Sequence, residues 1–217
     1  MKILLLDVDS KIPNLALMKL SSFYKKQKCI VDFKKLNYSG YPKQKKLTVI
    51  DAREYDKVLG SIIFTVNKNT VKVENCDKVS FGGTGIDINK KLPPEIDELP
   101  EDYSLYPNTD TSYGFITRGC IRDCYFCFVP KKEGMIYKYR EPEQIIKHSK
   151  VEFLDNNILA WKNHLQILQW LVDKKVKYTF KQGLDLRVLT ENNARLLSES
   201  RYLGEYIFAF DQLKDLK

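Results

Sequence analysis

No apolar run in this 217-residue chain approaches the roughly 20 residues that cross a bilayer, so no membrane-spanning helix is expected. The opening Met1-Lys2-Ile3-Leu4-Leu5-Leu6 meets Asp7 and Asp9 too soon to act as a secretory signal, and a cytoplasmic protein is expected. A disulfide framework is not expected either: the five cysteines are an odd number and three crowd into one short stretch. Cys29 and Cys76, outside that stretch, read as ordinary buried thiols. Histidine is scarce, present only as His148 and His164. Nothing suggests disorder, since 43% of the residues are hydrophobic, ample for one large domain or two small ones.

The formal charge of +8 has two readings. Clustered cations neutralise phosphate, which would suit an RNA substrate or an anionic cofactor. The excess here is largely lysine in scattered pieces, such as Lys25-Lys26, Lys34-Lys35 and Lys43 to Lys46, the pattern of a solvated surface.

Residues 2 to 8 form a short continuous apolar run, as in a strand buried on both faces of a parallel sheet. After Pro13, the spacing of Leu17, Leu20 and Tyr24 predicts a helix from Asn14 to about Gln27. Cys29 to Leu36 alternates as a second strand. Beyond a Lys-, Gly- and Pro-containing loop, Lys57 to Thr65 reads as a third, with Gly60 marking a bulge or a close approach. A short polar segment leads to a fourth, Lys78 to Phe81, which ends in Gly82-Gly83-Thr84-Gly85. Such a turn either cradles a phosphate or simply reverses the chain, and the G-x-G-x-x-G spacing is absent. The alternation predicts a Rossmann-like parallel-sheet domain over residues 1–88. Residues 89–111, with Pro93-Pro94, Pro100, Pro107 and several acids, read as a linker, an ordered strap and not a folded element.

Residues 112–117 then read as a strand that delivers Thr117-Arg118-Gly119-Cys120-Ile121-Arg122-Asp123-Cys124-Tyr125-Phe126-Cys127. Three thiolates on one loop can serve a soft metal centre. In an iron-sulfur cube they would leave one of four irons open to a ligand. Two other readings are three buried core cysteines, and a structural zinc site completed by His148 or His164. A helix opened by Glu141-Pro142-Glu143 to about Ser149, a strand over 151–155, a helix from His164 to about Lys174 and a strand from Lys177 to Phe180 follow. Thr190 caps a helix from Glu191 to about Ser200, and residues 205–210 make a last strand ending at Asp211. This βα repeat is that of a parallel α/β barrel, whose strand ends carry chemistry. Those ends hold the cysteine loop, Asp155, Asn156, Gln182, Asp185, Arg187 and Asp211.

The run from Arg118 to Cys127, with Phe126 just before the last cysteine, resembles the cluster loop of the radical S-adenosylmethionine (radical SAM) superfamily. The resemblance implies an α/β protein in which a Rossmann-like domain precedes a partial radical SAM barrel of about four βα units, residues 112–217. It implies a 4Fe-4S cluster on Cys120, Cys124 and Cys127, with S-adenosylmethionine chelating the fourth iron. One-electron cleavage then gives a 5'-deoxyadenosyl radical that abstracts hydrogen from a substrate the sequence does not name; nucleic acid is one candidate. Phe126 is implied at the adenine and Asp155 or Asn156 at the methionine ammonium, with Gln182, Asp185, Arg187 and Asp211 as further cofactor-binding or substrate-binding candidates. Arg118 and Arg122 would stabilise the anionic cluster or serve as surface charges. No residue is assigned as catalytic, and an electron donor of flavodoxin or ferredoxin type is the implied partner.

The N-terminal domain resembles a degenerate cobalamin-binding domain. It lacks the histidine of an Asp-x-His-x-x-Gly setting, so histidine-ligated cobalamin is not expected, while binding without a protein ligand stays open. The tRNA methylthiotransferases fit poorly, because that domain offers only Cys29 and Cys76 where a second cluster needs three cysteines. The superfamily generally builds six βα units. The shortfall has three explanations: a fragment, which is favoured, a natural truncation, or a half-barrel completed by another chain. The alternative function is a non-catalytic metal-binding module, holding zinc or a cluster, or a truncated inactive remnant.

Overall fold

The computed structural model describes residues 1–38 and 47–209, which fall in two compact units, Met1–Asn108 and Thr109–Lys217. Both are α/β, built on parallel sheets. In the first, the apolar run forms β1 (Lys2–Asp7), where Ile3, Leu5 and Leu6 are fully buried because Leu17 and Met18 pack on one face of the strand and Ile50, Val71 and Val73 on the other. Asn14 caps α1 (Leu15–Lys26) by accepting from Leu17 N, and Lys25 and Lys26 lie at the negative helix end. There follow β2 (Ile30–Lys35), β3 (Thr48–Asp51), β4 (Lys57–Ser61), β5 (Val71–Glu74) and β6 (Val79–Gly82). The main sheet has the order β2-β1-β4-β6, all parallel, and β3 pairs with β5 in a separate parallel ribbon.

That ribbon was not foreseen: its strands fall in the stretches read as loop and polar segment, part of which, 39–46, lies outside the described residues. The third strand is also shorter than the apolar run suggests. After Ser61 the carboxylate of Asp9 takes Ile63 N, Phe64 N and Asn67 Nδ2, which draws the chain out of the ladder. Gly60 is a close approach, since a Cβ there would stand 2.2 Å from the Phe81 ring. In the glycine turn, Gly85 N donates to Ile62 O while Ile86 N and Asp87 N donate to Gly83 O. These amides are spent within the turn, as in a plain chain reversal.

The segment 89–111 is a strap that does fold, and up to Asn108 it belongs to the first unit. It forms α2 (Pro94–Asp97) and a 3-10 turn, Tyr103–Leu105. Lys19, on α1 and almost wholly buried, bonds both the carbonyl and the carboxylate of Asp97, at 2.6 and 2.7 Å. Lys25 and Ser21 both bond Asp102. Leu105 enters the core with Ile3, Leu5, Leu17 and Met18, and Tyr106 OH donates to the buried Asp7 at 2.8 Å. The boundary therefore falls at 108/109, because the acids read as linker charge are the partners of helix lysines.

The second unit begins with β7 (Thr111–Gly114), β8 (Thr117–Arg118), α3 (Val129–Lys132), β9 (Tyr137–Lys138) and α4 (Pro142–Ile145). It continues with β10 (Lys150–Phe153), α5 (His164–Asp173), β11 (Lys177–Phe180) and β12 (Leu184–Asp185). It closes with α6 (Glu191–Glu199), β13 (Arg201–Tyr202) and β14 (Phe208–Ala209). Strands β7, β10, β11 and β13 lie side by side in sequence order, all parallel, and β12 pairs with β14 beyond them. Among the described residues this sheet runs from β7 to β13 without closing. Ile167, Leu168 and Leu171 of α5 pack with Leu196 and Leu197 of α6 over Val151, Phe153, Tyr178 and Phe180. Each such buried side chain contributes about 1.5–3 kcal/mol.

Three readings change here. The strand before the cysteines breaks after Gly114 and resumes in β8. The helix expected to reach Ser149 stops at Ile145, since Ser112 Oγ accepts from Lys147 N and His148 N and so holds that stretch against β7. The strand that extends the sheet is Arg201–Tyr202, not 205–210, and Asp211 lies outside the described residues. No helix among the described residues is long and apolar enough to cross a membrane.

Candidate metal centre

β8 turns away from the parallel sheet and pairs antiparallel with β9, Thr117 opposite Lys138 and Arg118 opposite Tyr137. The chain between them, which holds all three clustered cysteines, is thus a loop on a two-residue stem. Arg118 fastens the stem: its guanidinium lies 5.0 Å from the ring centres of both Phe115 and Tyr139 and bonds Glu133 at 2.8 Å. Cys120 N donates to Gly134 O across the loop's mouth. Gly119 between them has φ +83°, and a Cβ there would come within 2.5 Å of Met135 O, so only glycine lets the two sides of the mouth meet.

The chain after β10 holds the loop from below, one residue after another. Asp155, fully enclosed, accepts from Ile116 N at 3.1 Å, from Thr117 N, and from Thr117 Oγ1 at 2.7 Å. Burial pushes its carboxyl up to about 6 against the pull of those donors. Asn156 Oδ1 accepts from Gly119 N at 3.0 Å. Asn157 Nδ2 donates to Cys120 Sγ at 3.4 Å and to Asp185 Oδ2 at 3.1 Å. Asp185 in turn accepts from Arg122 Nε at 3.1 Å and from Arg187 Nε at 2.6 Å. Burial would raise its carboxyl, but Arg187, Arg122 and Asn157 outweigh that and hold it below the usual range.

The three thiols are free and half-buried. Arg122 N donates to Cys120 Sγ at 3.3 Å and Val129 N to Cys127 Sγ at 3.4 Å, contacts that suit anionic sulfur ligands. Among the described residues no group of three or more His, Cys, Asp or Glu surrounds a point where one metal ion would sit. The histidines invoked for zinc have other partners: His148 Nδ1 bonds Ser112 Oγ, and His164 contacts Trp161 O and Asn193. No residue from Cys120 to Glu141 is buried, and the rings of Tyr125 (94% exposed) and Phe126 (56% exposed) meet edge to face at 5.1 Å.

The structure thus gathers Asp155, Asn156, Asp185 and Arg187 around the cysteine loop. Gln182 sits exposed in the turn after β11. Asn157, Thr117 and Glu133 were missed. The signal for Asn157 was the unbroken Asp155-Asn156-Asn157 run at a strand end, while nothing local marks Glu133 as the partner of Arg118. Cys29 and Cys76 are half-buried against two different hydrophobic clusters. No family model, curated protein or solved structure matches the chain.

Proposed function

We propose that the chain is a radical SAM protein in which Cys120, Cys124 and Cys127 hold a 4Fe-4S cluster that leaves one iron for S-adenosylmethionine. The observation that carries this reading is the thiol loop itself. Three free cysteines at C-x3-C-x2-C spacing occupy one clasped loop beside the carboxyl ends of β7 and β10, with backbone N–H groups directed at two of the sulfurs. When bound, the pair of cofactors supplies one-electron cleavage of the sulfonium to methionine and a 5'-deoxyadenosyl radical that takes a hydrogen atom from the substrate.

The chain's own groups divide the remaining work. Asp155 is a positioning residue, because both its oxygens are spent on Ile116 and Thr117. Asn156 likewise spends its oxygen on Gly119. Asn157 Oδ1 is buried and without a hydrogen-bond partner, while its Nδ2 faces the Cys120 sulfur and the Asp185 carboxylate. That orientation is the one two anionic acceptors impose, and it leaves the oxygen enclosed without a partner. Phe126 offers an exposed ring to the adenine. Arg122, already tied to Asp185, lends positive charge beside Cys120. A flavodoxin-type or ferredoxin-type donor would supply the electron.

Anaerobic reconstitution with iron and sulfide tests the proposal. The expected product is a brown protein with a cluster absorption band that S-adenosylmethionine alters, and it releases 5'-deoxyadenosine after dithionite reduction. A colourless protein with stoichiometric zinc would overturn it, and a cluster that never yields 5'-deoxyadenosine would leave only an inactive remnant.

A further inference from the structure

The sulfurs of the thiol loop are not served alike. Arg122 N and Val129 N reach Cys120 and Cys127 from two positions further along the chain, as the backbone of almost any residue there would. Among the described residues, Asn157 alone gives one of these sulfurs a hydrogen bond from a side chain, at 3.4 Å from Cys120. It arrives from 37 positions away and is only 4% exposed. Its Oδ1 is buried without a partner, which makes asparagine a poor choice for filling that space alone. What the residue secures is the place of Nδ2, held between the Cys120 sulfur and Asp185 Oδ2 at 3.1 Å. Asp185 also takes Arg122 Nε at 3.1 Å and Arg187 Nε at 2.6 Å. Two guanidinium groups on one carboxylate leave one positive charge over, with Arg122 beside Cys120.

We infer that Asn157, braced by Asp185, sets the reduction potential of the cluster on the thiol loop through its hydrogen bond to the Cys120 sulfur. The inference rests on the radical SAM reading, which supplies the cluster. A cluster that has taken up an electron carries one more negative charge, spread over its irons and sulfurs. An N–H aimed at a ligand sulfur is worth more to that form than to the oxidised one, so it raises the potential. A positive charge beside the sulfur acts in the same direction, and a negative charge opposes it. Asn157 and Asp185 therefore pull oppositely: the amide favours reduction directly, while the carboxylate that braces it disfavours reduction through its charge.

Potentiometric titration of the reconstituted full chain, followed by the electron paramagnetic resonance of the reduced cluster, tests the inference. Asn157→Leu keeps a branched side chain but removes the N–H. It should make reduction harder by about tenfold in the equilibrium constant, about 59 mV for one electron. Asp185→Asn removes the negative charge and keeps an oxygen to accept from Asn157, so it should make reduction easier by a similar factor. Water entering a loosened loop would make reduction easier in both, because it solvates the more negative form. Opposite signs therefore separate tuning from structural damage, and iron per chain and circular dichroism should match the parent in each variant. Should Asn157→Leu fail to fold, Asp185→Asn carries the comparison. The inference is overturned if a folded variant keeps the parent's potential, or if both variants shift it in the same direction. Either result on a parent that holds the cluster sinks the tuning alone and leaves the radical SAM reading standing. A parent that takes up no cluster overturns both.

Discussion

Asp155 is a carboxylate without water, solvated by the amides of Ile116 and Thr117 and the Thr117 hydroxyl. Its folded value near 6 lies above the ordinary 3.8, so the folded chain holds this proton more tightly than the unfolded chain does. The stabilisation this gives is complete below about pH 4 and is lost as the pH rises through 6. Denaturant titrations between pH 4 and 7 should show that slope, and Asp155→Asn should flatten it. The same change should cost about 1–3 kcal/mol at neutral pH, because its NH2 must face a backbone donor. Two glycines allow a sharper comparison. Gly119 and Gly134 both have positive φ, so alanine at either pays the left-handed penalty of about 1–2 kcal/mol. Only at Gly119 would the new Cβ strike backbone, at 2.5 Å from Met135 O, whereas at Gly134 it meets nothing within 4 Å. Iron retained per chain after reconstitution should fall well below the parent in Gly119→Ala and stay near it in Gly134→Ala. The cysteines were legible as ligands because their spacing is local. The roles of Asp155 and Asn157 were not, because they depend on hydrogen bonds to residues more than thirty positions away.

Among the elements, α1 was readable almost to the residue, since its apolar period and its cap at Asn14 lie within one short window. β3 and β5 were not, because only Ile50 of their eight residues is buried and four-residue ribbons leave no clear alternation. The strap along α1 was misread for a related reason: a run of acids near prolines looks solvated until the lysines that face it are known. Its electrostatics can be tested. Burial would raise the Asp102 carboxyl, but Lys25, Ser21 and Ser104 outweigh that and bring it to about 2. A depressed value means stabilisation that is full above about pH 4 and lost as the pH falls through 2. In acid denaturation followed by circular dichroism, Asp102→Asn should therefore show a shallower loss of stability over that window than the parent.

For the molecule as a whole, the sequence-based boundary at residue 88 and the structural one at 108 make opposite predictions about truncation. A chain ending at 88 lacks Leu105 from the core, leaves Asp7 without the Tyr106 hydroxyl, and leaves the buried Lys19 without Asp97. Losing a buried apolar side chain and a buried hydrogen bond costs several kcal/mol, a large part of a small domain's stability. Residues 1–108 should accordingly unfold in one cooperative urea transition, while residues 1–88 should show none or aggregate. The α/β class was legible because alternating strands and helices are a long-range rhythm that survives local errors; the unit boundary depended on pairings no single window contains. The two-residue stem of β8 and β9 bears on the order of folding. Thr117 and Lys138 are 21 positions apart in the chain, against 27 for the partners in β10 and β11 and 39 for those in β7 and β10, so slightly less chain entropy opposes their meeting. The stem is thus free to close, and to gather the thiols, before the parallel strands have found one another, which would let metal arrive on a chain still assembling its sheet.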